Sequence, residues 1–178
     1  MGSHRCVGLN MGDSRRKTSP VAIDPATPDD VPALMSLIRA LAEYEKLTHQ
    51  VRIKPDAFRE HLFGPRPYAE AIIARLDGQP VGYALWFHNY STFLSKPGLY
   101  LEDVFVLPEH RGSGIGRALL CEVARVAKER GSGRLEWSVL DWNEPAIGFY
   151  RRLGAEVLPD WRICRMDEAA IARMSESE

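Results

Sequence analysis

The most chemically suggestive run in the chain is Arg111-Gly112-Ser113-Gly114-Ile115-Gly116. It follows a β-branched, apolar stretch, Leu101 to Leu107, which Pro108 ends, and it leads into a helical pattern of Ile115, Leu119, Val123 and Val126. Glycines allow positive φ and let a ligand approach without a Cβ in the way. The first N–H groups of a helix have no partner inside it, and they emerge from an end that carries about half a positive charge. Such a turn suits a phosphate or pyrophosphate, and Arg111 adds a full charge. No Gly-Lys-Ser/Thr is present, so this is not the triphosphate P-loop. It also fits the dinucleotide fingerprint poorly: it comes late in the chain, and the next strand-like run offers only Glu136 as an acid. On glycines alone, a plain chain reversal fits equally well.

Other segments narrow the reading. Arg111, Gly114 and Gly116 fill an Arg-x-x-Gly-x-Gly pattern between strand and helix. Downstream lies Asp141-Trp142-Asn143-Glu144-Pro145-Ala146-Ile147-Gly148-Phe149-Tyr150, with an Asn opening a helix and a Tyr about a turn and a half later. Upstream are Leu41-Ala42-Glu43-Tyr44-Glu45-Lys46-Leu47 and Tyr100-Leu101-Glu102-Asp103. The first two patterns resemble the GNAT superfamily of acetyl-CoA-dependent N-acetyltransferases. With the last two, residues 21 to 167 resemble the spermidine/spermine (diamine) N-acetyltransferase family. The wording of Glu43 to Leu47 and Val139 to Asn143 is closest to its thialysine-acetylating branch.

The resemblance implies a reaction. Acetyl-CoA is held, an ammonium is deprotonated, and a departing thiolate is protonated. A lysine-like amine has a pKa of about 10.4, so freeing it at neutral pH costs about 4 to 5 kcal/mol. A carboxylate helps by binding the cation and relaying its proton. Glu102 and Asp103 are neighbours on a strand, so only one faces a given cleft. The family's substrate-binding acid falls on Glu102. The family's catalytic tyrosine falls on Tyr150, which stays protonated at neutral pH and is suited to protonate the thiolate. By spacing alone, Tyr150 also reads as a core aromatic on a face shared with Ile147 and Leu153.

The same resemblance assigns the cofactor contacts to the backbone of Val104, Phe105 and Val106, to Arg111, Gly112, Ser113, Gly114, Ile115, Gly116 and Arg117, and to Asn143, Ala146 and Tyr150. Asn143 is in addition a good helix N-cap. Tyr44 and Glu45 fall on substrate positions, an aromatic face and a carboxylate suited to an alkylammonium; on spacing alone they read equally as a solvated helix end. Thr48 and His49 stand where the polyamine enzymes are more acidic, which favours a shorter, less charged amine. Trp161 reads either as core packing or as lining the same pocket.

The elements that must position these residues can be taken in order. Val21 to Asp24 reads as a strand. Thr27, Pro28 and two acids open a helix whose buried stripe is Val31, Leu34, Ile38 and Leu41. Pro55 to Phe63 is a second helix. Strands Tyr68 to Leu76 and Pro80 to His88 flank an Asp77-Gly78 turn. Asn89 to Gly98 reads as a loop, and Gly131 as the C-cap of the glycine-turn helix. Arg134 to Leu140 reads as a strand, Glu144 to Leu153 as a helix closed by Gly154, Trp161 to Met166 as a last strand, and Asp167 to Met174 as a last helix. The expected class is α+β (mixed α/β), and the resemblance implies the GNAT fold, a mostly antiparallel mixed sheet splayed at the acetyl-CoA cleft.

Length and composition bound the rest. A chain of 178 residues is sized for one domain, taken as 21–178, behind an extension or tag at 1–20 that is expected to be flexible. That extension lacks the apolar centre of a secretory signal, and its Arg15-Arg16-Lys17 run is too short for nucleic-acid binding. A net charge of −1 favours neither nucleic acid nor an anionic membrane, and no apolar run approaches a membrane span. Cys6, Cys121 and Cys164 form no paired framework, which points to a reducing, cytoplasmic compartment; Cys121 reads as core packing. The five histidines are scattered, so no metal is expected. The expected partner is a small cationic amine, and the family implies a homodimer. Acetylation of a protein or peptide, or a non-catalytic acyl-CoA-binding module, are the alternative functions.

Overall fold

The computed structural model describes residues 21–176; the extension at 1–20, with His4, Cys6 and the basic run, lies outside the described residues. The chain divides into two compact units, one ending at Trp137 and the other beginning at Ser138.

The first unit is built on a five-stranded sheet in chain order: β1 (Ala22–Pro25), β2 (Glu70–Leu76), β3 (Gln79–Ser91), β4 (Lys96–Val106) and β5 (Leu135–Glu136). The first four strands are antiparallel to their neighbours, and β5 joins β4 in parallel. The β2–β3 turn has φ 50 at Asp77 and 79 at Gly78. Two left-handed residues in a row match the twist of a tight hairpin, as Asp-Gly implies.

Helix α1 (Val31–Tyr44) and helix α2 (Pro55–Phe63) cover one face of the sheet. There Leu34, Leu37 and Leu62 pack with Ile73, Tyr83, Leu85 and Phe105. Helix α3 (Ile115–Glu129) covers the other face, buries Leu119, Leu120 and Val123, and brings Leu119 against Gly82. The entry to α1 is tied down by Asp30. Its carboxylate accepts from the backbone N–H of Thr27 at 2.8 Å and from the Thr27 hydroxyl at 2.9 Å, and it pairs with Arg75 of β2.

In the first unit three expectations change. Strands β3 and β4 continue through the expected Asn89–Gly98 loop, leaving only residues 92–95 as the turn. Gly98 permits this: a Cβ there would run into Asn89 Oδ1 and crowd the carbonyl of Arg134. The strand expected over Arg134–Leu140 shrinks to two residues, pairing Leu99 with Leu135 and Tyr100 with Glu136. Asn89 Nδ2 donates to Glu136 Oε2 at 2.8 Å, pinning that short strand across β4. Cys121 is exposed rather than in the core, because it falls two residues beyond the buried Leu119, on the far side of α3.

The second unit holds α4 (Glu144–Arg152) and α5 (Glu168–Ser175). The strand expected over Trp161–Met166 is not formed, and Trp161 and Ile163 are exposed. Period-two alternation favours a strand only where a neighbour takes up its backbone groups.

Candidate active site

The glycine turn adopts the conformation that its composition permits. Gly112 and Gly114 have φ of 77 and 88, and Gly114 is the N-cap of α3. No side chain caps that helix; the Ser113 hydroxyl instead donates to the carbonyl of His110. A Cβ at Gly112 or Gly114 would meet nothing within 4 Å, so the turn is open. Unfilled amides at an open helix start fit a phosphate.

Arg111 is engaged elsewhere. Its Nε donates to the carbonyl of Val106 at 3.0 Å, and its guanidinium carbon lies 4.2 Å from the centre of the Tyr44 ring and 5.4 Å from that of Phe105. The side chain expected to add charge to a phosphate therefore braces the end of β4 against the end of α1. Tyr44, expected to offer an aromatic face to a cation, has Arg111 on its ring.

β4 has two features that its sequence conceals. First, β5 pairs with it only at Leu99 and Tyr100, so among the described residues no strand pairs with that edge from Leu101 to Val106. The stretch containing Val104, Phe105 and Val106 is thus open on one side, as a splayed sheet requires. Second, the β3–β4 register slips: Leu85 faces Asp103 but Trp86 faces Leu101, leaving Glu102 without a partner. One extra residue reverses the alternation of the pleat. Asp103 now shares the α1 face with Tyr83, Leu85 and Phe105, while Leu101 shares the α3 face with Trp86.

The bulge decides which acid enters the cleft. On the α1 face a cleft of about 500 Å³ has Glu45 and Asp103 in its wall, among Ile38, Leu41 and Phe58, with Arg52, Lys54 and His61 as its basic groups. Glu102, the acid favoured on sequence, is exposed and lies outside that wall. Burial pushes the Asp103 carboxyl up to about 6; the hydrogen bond from Tyr83 opposes the rise, and the charges of Glu102 and Glu45 add to it. Burial also raises Glu45. The Tyr83 phenol, buried and bonded to Asp103 Oδ2 at 2.9 Å, is held well above the usual phenol range by burial first and by the Asp103 charge second. Two partly buried carboxylates in one cleft suit a cation, since a bound ammonium offsets their mutual repulsion.

In the second unit Asn143 caps α4, accepting from the Ala146 N–H at 3.3 Å. Asn143 is 8% and Tyr150 9% exposed, whereas Leu153, expected on the same face, is 39% exposed. The Phe149 and Tyr150 rings are 5.5 Å apart. Trp161 is 76% exposed, which removes core packing as its role.

The structure thus gathers Glu45 and Asp103 in one cleft and Tyr44, Phe105 and Arg111 in one stack. Sequence reading passed over Asp103 and its partner Tyr83; two polar groups facing each other across apolar strands were the available signal. Among the described residues no group of three or more His, Cys, Asp or Glu is placed to hold a metal ion, and no helix is long and apolar enough to cross a membrane.

The chain is similar to known proteins. The Acetyltransferase (GNAT) family matches residues 32–155. A Bos taurus thialysine N-epsilon-acetyltransferase is 39% identical over 166 residues, covering 87% of this chain and 97% of that protein. An Arabidopsis thaliana L-ornithine N5-acetyltransferase is 32% identical, covering 82% and 84%. Among solved structures, an integron cassette protein from the mobile metagenome of V. cholerae shares the fold, with a TM-score of 0.73, 21% identity, and coverage of 88% of this chain and 98% of its own. A glycine turn opening an uncapped helix, an unpaired edge of β4 and a family match across most of the chain lead to one conclusion: this protein belongs to the GNAT family of acetyltransferases.

Proposed function

We propose that this chain transfers the acetyl group of acetyl-CoA to a primary amine of a small diamine, polyamine or lysine-analogue substrate, by direct attack in a ternary complex. The placing of Glu45 and Asp103 in the wall of one cleft carries this reading, because it suits a small cation. The relatives named for thialysine and L-ornithine support it, since both compounds carry an amine at the end of a short alkyl chain.

In this scheme the open amides of Gly112 to Gly116, with Arg117, hold the diphosphate of coenzyme A, and the free edge of Val104 to Val106 receives its pantetheine arm. Arg111 acts by bracing β4. Asn143 and Ala146 contribute further cofactor contacts, and Tyr150 protonates the departing thiolate. Asp103 and Glu45 bind the ammonium, Glu102 strengthens the local negative potential, and Tyr44 holds the wall that Arg111 covers. Trp161 remains a candidate contact to the acceptor. The family match runs through both units and supports one acetyltransferase domain over 21–178. We also propose a cytoplasmic homodimer. Free Cys121 and Cys164 are consistent with a reducing compartment. Exposed Trp161, Ile163, Met166, Ile171 and Met174 offer apolar surface for association.

The test is thiol release from acetyl-CoA against thialysine, lysine, ornithine, putrescine, spermidine, spermine and a histone-like peptide. The reading expects turnover with small amines and little with the peptide. Turnover with the peptide alone would replace the acceptor class, and no thiol release with any amine would refute the reading.

A further inference from the structure

We infer that Arg111, although it stands in the glycine motif of the cofactor turn, is a positioning residue for the acceptor: its guanidinium clamps the Tyr44 ring and so holds Glu45, the next residue, in the wall of the cleft. This deepens the proposed function and rests on it.

Arg111 does not act on Glu45 as a counter-ion. Among the described residues it is in no ion pair, and burial is the influence that raises the Glu45 carboxyl. The link between the two is packing. Tyr44 ends α1 and packs against the core cluster that contains Phe105. The Arg111 guanidinium carbon lies 4.2 Å from the centre of the Tyr44 ring and 5.4 Å from that of Phe105, and its Nε is tied to the Val106 carbonyl at 3.0 Å. The side chain is thus bonded to the end of β4 and lies against the last residue of α1.

The turn that follows Tyr44 needs such a hold. The backbone N–H groups of Glu45 and Leu47 donate to the carbonyls of Leu41 and Ala42 at 2.9 and 2.8 Å, and Lys46 between them has φ 62. A residue with a Cβ enters that left-handed conformation at a cost, and it stays there only where surrounding contacts hold the chain. Glu45, a cleft-wall carboxylate, is therefore presented by a short, strained turn that the stack of Arg111 on Tyr44 anchors from outside. A guanidinium suits this better than an ammonium, because its plane can lie on a ring while its Nε–H keeps a separate partner.

The test is a double-mutant cycle, read as acceptor kinetics with the best small amine of the panel above and as calorimetric binding of acetyl-CoA. Tyr44→Leu removes the ring, and Arg111→Lys keeps the charge without the planar fork. Each is expected to raise the acceptor KM about fivefold, the order of one exposed cation–π contact, with kcat unchanged. The two together should raise it no further than either alone, since both remove the same contact. Tyr44→Phe, which keeps the ring, should retain most of the affinity that Tyr44→Leu loses. Kd for acetyl-CoA should stay as in the native protein throughout, and that binding also reports that each variant is folded. A native acceptor KM in Tyr44→Leu or in Arg111→Lys would overturn the inference, and so would additive effects in the pair. Either result leaves the proposed function standing. Absence of thiol release by the native protein with every amine would overturn both.

Discussion

The hydroxyl of Tyr83 donates a 2.9 Å hydrogen bond to Oδ2 of Asp103, joining the middle of β3 to the middle of β4 on the α1 face of the sheet. The bond fixes the orientation of a carboxylate that burial would otherwise push still further toward its neutral form.

The first prediction concerns the pH dependence of turnover. Asp103 titrates at about 6 in the free protein, so an acceptor that needs its charge binds better as pH rises through that value. A plot of log kcat/KM against pH for a small amine should show a step near pH 6. Asp103→Asn should remove the step and lower kcat/KM at least tenfold. Tyr83→Phe should move it upward, because the bond that favours the carboxylate is gone. A step that survives in Asp103→Asn would assign it to another group.

The same group also shapes stability. Its folded-state pKa of about 6 lies above the ordinary 3.8. Between those values the native state holds more protons than the unfolded chain, so stability falls as pH rises through the window. The loss should reach up to about 3 kcal/mol, at about 1.4 kcal/mol per pKa unit. Urea melts of native protein and Asp103→Asn at pH 4 and pH 7 should show a smaller pH effect in the variant.

Tyr150→Phe tests the general acid. Losing the hydroxyl should cut kcat by ten- to a thousandfold, the order of a proton-transfer contribution, with affinity for acetyl-CoA nearly unchanged. Pre-steady-state thiol release together with calorimetry separates the two effects. Native kcat in this variant would remove Tyr150 from the reaction.

Gly114→Ala places a Cβ on a residue with φ 88. The strain should cost about 1–2 kcal/mol, seen as a lower Tm without ligand. Because Gly114 opens α3, the rise in Tm on adding acetyl-CoA should shrink as well. A full ligand-induced rise would mean that this turn does not hold the cofactor.

Asp30→Ala removes a buried acid that bonds both Thr27 and Arg75. The expected loss is about 2–3 kcal/mol, or roughly 5–10 °C in Tm, with KM for acceptor and cofactor unchanged. Differential scanning fluorimetry beside steady-state kinetics would reveal any coupling to the site.

Much of this protein is legible in local chemistry. The glycine turn at Arg111–Gly116, the Asp77-Gly78 hairpin, the Asn143 cap and the helices α2, α3 and α4 each depend on residues close in sequence. Propensity, capping and backbone freedom suffice to specify them, and two of the motifs that resemble the acetyltransferases, at Arg111–Gly116 and Asp141–Tyr150, lie in these segments. What tertiary structure alone decided concerns partners far apart in the chain. Glu102 bulges only because of how β3 registers against β4, and that slip is what turns Asp103 toward the cleft. Arg111 rests on Tyr44, 67 positions earlier in the chain. β5 pairs over two residues, and Trp161–Met166 forms no strand, because a strand exists only where a neighbour accepts its hydrogen bonds. Alternation along one strand cannot reveal an extra residue whose place is set by another.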